Sequence, residues 1–383
     1  MPASKRSNIA SFMVMDVMTA AAEAEARGRH IIHMEVGQPG TPAPRTALDA
    51  VSTAIADDNL GYTLALGIPA LRSRIAGLYQ SRYGVDVAPH RVVITSGSSA
   101  AFVLAFLTVF DVGDTVALPS PGYPCYRQIL SALGQHHRIL ETGPETRWMP
   151  TLAQIDACAD DISGLLIASP NNPTGTMLEP ERLAAIAEFC QRRRIWFISD
   201  EIYHGLTYER PAETALSYSD DAIIINSFSK YFSMTGWRVG WVIVPEHLVP
   251  VVERLAQNFY ICAPAVAQTA ALGAFDGTDE LEQNRAVYAA NRDWLLSELP
   301  KAGFDKLVPA DGAFYIYADV SQFTDDSLKF TSEMLEETGV ATTSGVDFDE
   351  ARGRNYIRFS YAGTLENMRE ATGRLARWDC LKI

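Results

Sequence analysis

Cysteine is scarce in this chain and poorly spaced for any staple. The five thiols, Cys125, Cys158, Cys190, Cys262 and Cys380, are odd in number, scattered, and contain no CxxC pair. That excludes a disulfide framework and a zinc site and leaves buried thiols as the reading. Long apolar runs are missing too. The longest, "AAFVLAFLTVF" at 100–110, falls short of the roughly 20 residues of a membrane span and reads as a buried helix. Neither sign of charge forms blocks: 46 acidic against 32 basic residues give a net charge of −14, spread along the chain. This disfavours nucleic acid and anionic membranes as partners and fits an acidic cytoplasmic protein. Internal repeats and low-complexity linkers are also lacking. Near the N-terminus, Lys5 and Arg6 precede "IASFMVMDVMTAAA", but Asp16 interrupts the apolar stretch and Glu23 and Glu25 follow it. An amphipathic helix or arm lying on the protein is expected there, not a cleaved signal.

What is present is enough apolar residue, 48% of 383, for a full core and a second, smaller domain. From about residue 90 to 245, short strand-like runs alternate with helical patterns: 91–95, 115–119, 164–169, 195–199, 222–227 and 239–244. Nearly continuous apolar strands imply burial on both faces and an α/β layered domain with a largely parallel sheet. From about 280 the pattern changes to long charged helices around "GAFYIYADV" and "NYIRFSYAG", a separate α+β lobe.

Ligands of such sheets bind outside the carboxyl ends of the strands, and the unusual polar residues sit there. After 91–95 comes "SGSSA", opening a helix whose free N–H groups suit an anion, though serines at a helix start are usually ordinary caps. After 115–119, "SPGYPCY" presents Tyr123 and Tyr126, either stacking groups or plain turn tyrosines. "PNNPTG" follows 164–169, punctuating a tight loop around Asn171 and Asn172. Asp200, after 195–199, could cap a helix or hold a cationic ring; Lys230, after 222–227, could be a solvated amine. Desolvated near serines and Arg238, Lys230 would carry a lowered pKa and more of the neutral, nucleophilic amine. A cation-bearing heteroaromatic ring held over the sheet would need such a pair, a fixed carboxylate at one edge and an amine at its aldehyde carbon.

"SPNNPTG", "SDEIY" and "SFSKYFSMTGWRVG", in this order and spacing, resemble the class I and II aminotransferases of the aspartate aminotransferase superfamily. The similarity extends from "VGQPG" through "GYTLALGIPALR" to "YIRFSYA", almost the whole chain. The resemblance implies fold type I, a three-layer α/β/α large domain over 39–280 with a mostly parallel sheet. A smaller α+β domain would be formed by 281–383 with part of an N-terminal arm, 1–38. It implies pyridoxal 5'-phosphate as cofactor, no metal, and Lys230 as the lysine of the internal aldimine. Asp200 matches the partner of the pyridinium nitrogen. Tyr203 and Asn172 match the pair at the phenolic oxygen, and Tyr123 the residue stacked on the ring. Gly97, Ser98, Ser99, Ser227, Ser229 and Arg238 match the phosphate pocket. Tyr62 matches a tyrosine that reaches the neighbouring subunit's phosphate, which implies a homodimer with shared active sites. Arg358 matches the arginine that binds the α-carboxylate, aided by Gly37 and Asn172.

By this resemblance the protein moves an amino group from an L-amino acid to a 2-oxo acid. The segment 255–264 holds no arginine or lysine where animal-type aspartate aminotransferases carry one for a distal carboxylate. With the apolar "SFMVM" arm at 11–15, an aromatic or aliphatic donor is expected, aspartate not being excluded. A pyridoxal phosphate lyase or decarboxylase on the same fold is the alternative. A non-catalytic regulator is a further one, disfavoured by the net charge and by the intact set of Lys230, Asp200 and Arg358.

Overall fold

Ile223 and Ile225 pack into one hydrophobic cluster and Ile224 into another. Side chains two apart in a strand share a face and neighbours do not, so this alternation fixes a sheet covered on both sides. The same division runs through Val92, Val93 and Ile94 and through Trp241, Val242 and Ile243. In the computed structural model, which describes residues 3–381, each such side chain contributes about 1.5–3 kcal/mol by leaving water.

Ile32–His33 (β1) is the first strand. Seven more build the main sheet: Val92–Thr95 (β2), Thr115–Ser120 (β3), His136–Glu141 (β4), Gly164–Ala168 (β5), Trp196–Asp200 (β6), Ile223–Ser227 (β7) and Gly240–Ile243 (β8). Their order is β2-β8-β7-β6-β5-β3-β4. Only β8 runs antiparallel to its neighbours. Its first residue therefore lies at the edge where the other strands end. The sheet is mostly parallel, as expected. It carries one strand beyond the expected six, β4, which is exposed at five of its six positions and so lacks the apolar run that marks the others.

Helices Gly97–Val109, Cys125–Leu133 and Val249–Tyr260 cover one face; Pro69–Tyr83, Pro180–Arg193 and Ala265–Ala274 cover the other. The remaining strands, Tyr315–Asp319 (β9), Val340–Ala341 (β10), Thr343–Ser344 (β11) and Tyr356–Ser360 (β12), belong to the C-terminal part. There β11, β12 and β9 form an antiparallel sheet, and β1 pairs in parallel with β10. The helix Met13–Ala26 precedes β1, and Arg29 reaches Glu336 at 2.9 Å, so the N-terminal segment is tied to the C-terminal lobe. A single helix spans Thr278–Glu298; the expected division at 280/281 falls within its first turn. Among the described residues no helix is long and apolar enough to cross a membrane, and no cluster of three or more His, Cys, Asp or Glu could hold a metal.

Candidate active site

The carboxyl edge of the main sheet opens into a cavity of about 190 Å³. Lys230 follows β7, and its Nζ donates to Gly37 O at 2.5 Å and lies 5.8 Å from the ring centres of Tyr203 and Phe314. Its pKa falls from the ordinary 10.5 to about 7: burial is the main cause, the Arg358 and Arg238 cations act in the same sense, and Asp200 opposes them in part. A neutral amine near pH 7 is the chemical result.

Asp200, the last residue of β6, is 3% exposed. Its Oδ1 accepts the Ile202 N–H at 3.1 Å and its Oδ2 accepts the Tyr126 hydroxyl. Burial pushes the carboxyl up to about 6, while those two bonds and Lys230 act in the opposite sense. A cation at this carboxylate would bring it back to the charged form.

At the far end of the cavity Gly97 opens the helix Gly97–Val109 at φ +77, and a Cβ there would lie 2.5 Å from Arg238 Nη2. Only glycine allows the helix start and the guanidinium to converge so closely. Ser98, Ser99, Ser229 and Arg238 line this end. The first-turn N–H groups of the helix and the guanidinium face one anion-sized space.

Arg358, on β12, is 1% exposed. Its Nη1 donates to Asn172 Oδ1 at 2.8 Å, its Nη2 to Glu35 O, and its guanidinium lies over Tyr315 at 4.4 Å and Phe348 at 4.6 Å. Its Nε has no partner, and among the described residues no carboxylate lies within ion-pair distance of it. A buried cation with no carboxylate in direct contact is costly, and the cavity in front of it is where an anion would relieve that cost. Phe12, Val14 and Met15 of the N-terminal arm and Val36 complete an apolar wall.

A sequence model of the class I and II aminotransferases matches residues 29–375. The chain belongs to that family. It is 48% identical to a valine–pyruvate aminotransferase of Mycobacterium tuberculosis over 97% of both chains. A second relative, a (5-formylfuran-3-yl)methyl phosphate transaminase of Methanocaldococcus jannaschii, is 34% identical over 96% of both. The crystal structure of an aminotransferase from Mycobacterium tuberculosis superposes with a TM-score of 0.97, 48% identity and 99% coverage of both chains. The protein is thus a pyridoxal phosphate-dependent aminotransferase of fold type I, acting on an amino acid and a 2-oxo acid.

The cavity of this aminotransferase fits its cofactor. Its wall brings together a cradle of donors suited to an anion, a buried carboxylate suited to a ring cation, and a lysine of lowered pKa. Gly37, Ser98, Ser99, Tyr123, Asn172, Asp200, Tyr203, Ser229, Lys230, Arg238 and Arg358 all line it. Gly97 sits directly behind the cradle. Ser227 lies behind the wall instead of in it: its hydroxyl donates to Val239 O at 3.0 Å and is 2.8 Å from Ser229 Oγ, which it orients. Tyr62 is 84% exposed, outside the cavity. Three participants take roles that the sequence reading did not assign. Tyr126 is a buried partner of Asp200, not a turn tyrosine. Tyr315 bonds the Tyr203 hydroxyl at 2.8 Å, and a Cβ on Gly37 would meet its hydroxyl at 1.9 Å. The third is Glu35, whose carbonyl holds Arg358. The "YIY" run of β9 signalled a strand, and nothing local marked its first tyrosine as a wall of the site.

Proposed function

We propose that this aminotransferase uses Lys230 as its reactive amine and takes a branched aliphatic L-amino acid, valine foremost, as donor with pyruvate as acceptor. The observation that carries the reading is a lysine with a pKa lowered to about 7 that shares one cavity with a buried carboxylate and a buried Arg358 lacking a direct ion-pair partner, beside an apolar wall. The 48% identity to the mycobacterial valine–pyruvate enzyme supports the same donor.

Pyridoxal phosphate, when bound, supplies an aldehyde that condenses with amines and a ring that accepts electron density when a C–H bond breaks. The chain's own residues do the rest. Arg238, Ser98, Ser99 and Ser229 hold the phosphate, with Gly97 leaving room and Ser227 orienting Ser229. Asp200, fixed by Tyr126 and the Ile202 amide, would hold the ring nitrogen with its carboxylate. Tyr123 would cover one face of the ring, and Tyr203 and Asn172 would hydrogen-bond its phenolic oxygen. Arg358 takes the donor's α-carboxylate in a two-pronged bond, with Asn172 and Gly37 beside it. Lys230, free as a neutral amine, would take up the proton from the donor's Cα. Phe12, Val14, Met15 and Val36 exclude water and pack an aliphatic side chain.

The exposed Tyr62, Leu64, Phe259 and Ile261 support a homodimer in which Tyr62 serves the partner's site. The free cysteines support a reducing, cytoplasmic setting. We also assign 39–280 to a large cofactor-binding domain and 281–383, with part of 1–38, to a small one. The test is a half-reaction panel with single amino acids and no oxo acid. Stoichiometric conversion of the cofactor to its amine form with release of 2-oxoisovalerate from valine is expected. Conversion by aspartate alone would overturn the donor assignment, and release of ammonia or carbon dioxide would overturn the reaction.

A further inference from the structure

We propose that His33 is a positioning residue that couples the N-terminal arm helix to the floor beneath the donor carboxylate, so that donor affinity depends on a link outside the cavity. The inference rests on the reading above, in which Arg358 and the arm face the donor.

The floor is the segment 34–37, which carries Val36 and Gly37 to the cavity. Its backbone is gripped from within. Met34 N donates to Ala341 O at 2.9 Å and Ser360 N donates to Met34 O at 2.7 Å. Thr343 Oγ1, at 2.8 Å, and Arg358 Nη2 both donate to Glu35 O. The side chain of Glu35 is the weak point. It is 0% exposed, its Oε2 has no partner, and its Oε1 meets His33 Nδ1 at 2.8 Å. A buried carboxylate with one oxygen unpaired depends heavily on the partner it has. That partner reaches outward: His33 Nε2 lies 3.2 Å from Glu25 Oε1, in the last turn of the helix Met13–Ala26. The helix spans about 20 Å at about 1.5 Å per residue, and its other end brings Phe12, Val14 and Met15 to the cavity wall.

An imidazolium donates from both nitrogens, whereas neutral imidazole carries one N–H and must release one of its two acceptors. The charged groups facing the ring are Glu25 from the arm helix and Glu35 from its own segment. β10, paired with β1, offers only Val340 and Ala341. Arg374, on the helix Leu365–Leu375, is engaged by Glu370 and His30. The Glu35 bond raises the His33 pKa to about 9, with partial burial opposing it and Glu25 adding to it. The double link is therefore complete below the ordinary value of 6.5, persists through neutral pH, and is lost as pH rises through about 9.

The experiment is the single-turnover half-reaction of the holoenzyme with L-valine from pH 6.5 to 9.5, giving apparent Kd and limiting rate for wild type, H33A, H33Q, E25Q and R358K. Hydrogen exchange of residues 12–26 is followed in parallel. We expect H33A to weaken valine binding about tenfold and E25Q about two- to threefold at pH 7.5, with limiting rates within twofold and arm amides exchanging faster by similar factors. H33Q, which keeps one donor, should fall between. The wild type should approach the H33A affinity above pH 9, while H33A lacks that step. Glu25 is exposed, so E25Q tests the link even if H33A fails to fold. Unchanged Kd in H33A and E25Q, or a loss confined to the limiting rate, overturns the inference. If R358K binds valine normally, the carboxylate reading itself fails; if R358K is weakened and the His33 and Glu25 variants are not, only the coupling falls.

Discussion

The acidity of Lys230 can be measured without any turnover. Its amine titrates at about 7 instead of 10.5. At pH 7.5 about three quarters of the protein would carry the neutral amine, against roughly one molecule in a thousand for an ordinary lysine. A reagent that attacks only neutral amines should then modify Lys230 on the order of 700-fold faster than a surface lysine of equal access. The perturbation is pH, applied to cofactor-free protein treated with formaldehyde and borohydride. The readout is dimethylated Lys230 in the peptide containing 225–241, followed by mass spectrometry. A midpoint near pH 7 is expected. Because Asp200 favours the ammonium and Arg238 opposes it, D200N should move the midpoint down and R238Q should move it up. A midpoint above 9, or a rise in D200N, would refute the argument that burial and the two guanidinium groups prepare this amine.

Other substitutions separate the remaining roles. D200N should retain the cofactor and lower the half-reaction rate by about 10²–10³, as loss of a fixed charge at a developing charge does; a rate within tenfold of wild type would argue against that placement. Y126F removes the donor to Asp200 Oδ2, so the carboxyl should titrate higher still and kcat/KM fall about tenfold, most clearly on the acid side of the pH profile. R358K keeps the charge but not the planar fork and should raise KM for the donor about 100-fold with a smaller change in kcat. G97A forces a Cβ against Arg238 at a positive φ; cofactor release measured by dialysis should speed at least tenfold.

The cofactor end of the cavity was legible because its residues lie on continuous strand-end motifs. Asn172, Asp200 and Lys230 each follow an apolar strand within a few positions, and the carboxyl-edge rule gathers them on one side of the sheet. Arg238 precedes its strand and reaches the same edge only because β8 runs backwards, a direction that an apolar run does not encode. β4 escaped notice because an exposed edge strand such as "HHRILE" carries no buried pattern. Tyr126, Tyr315 and Glu35 were illegible for another reason: each acts through a contact between segments far apart in sequence, 74 residues for Tyr126 and Asp200 and 323 for Glu35 and Arg358. Local spacing holds no record of such pairs.

The reversed strand also bears on how firmly a two-ended ligand is gripped. Ser227 and Gly240 are register partners across β7 and β8, so residues 228–239 form a loop stapled at its mouth. Lys230 stands near one post and Arg238 near the other. The two functional groups thus hang from a closed ring and not from free arms, and their separation is set before any ligand arrives. A molecule that touches both meets the second contact at a high effective concentration and orders little chain in doing so. Lengthening that ring by a few glycines would leave every contacting side chain in place and still loosen the hold on both ends together.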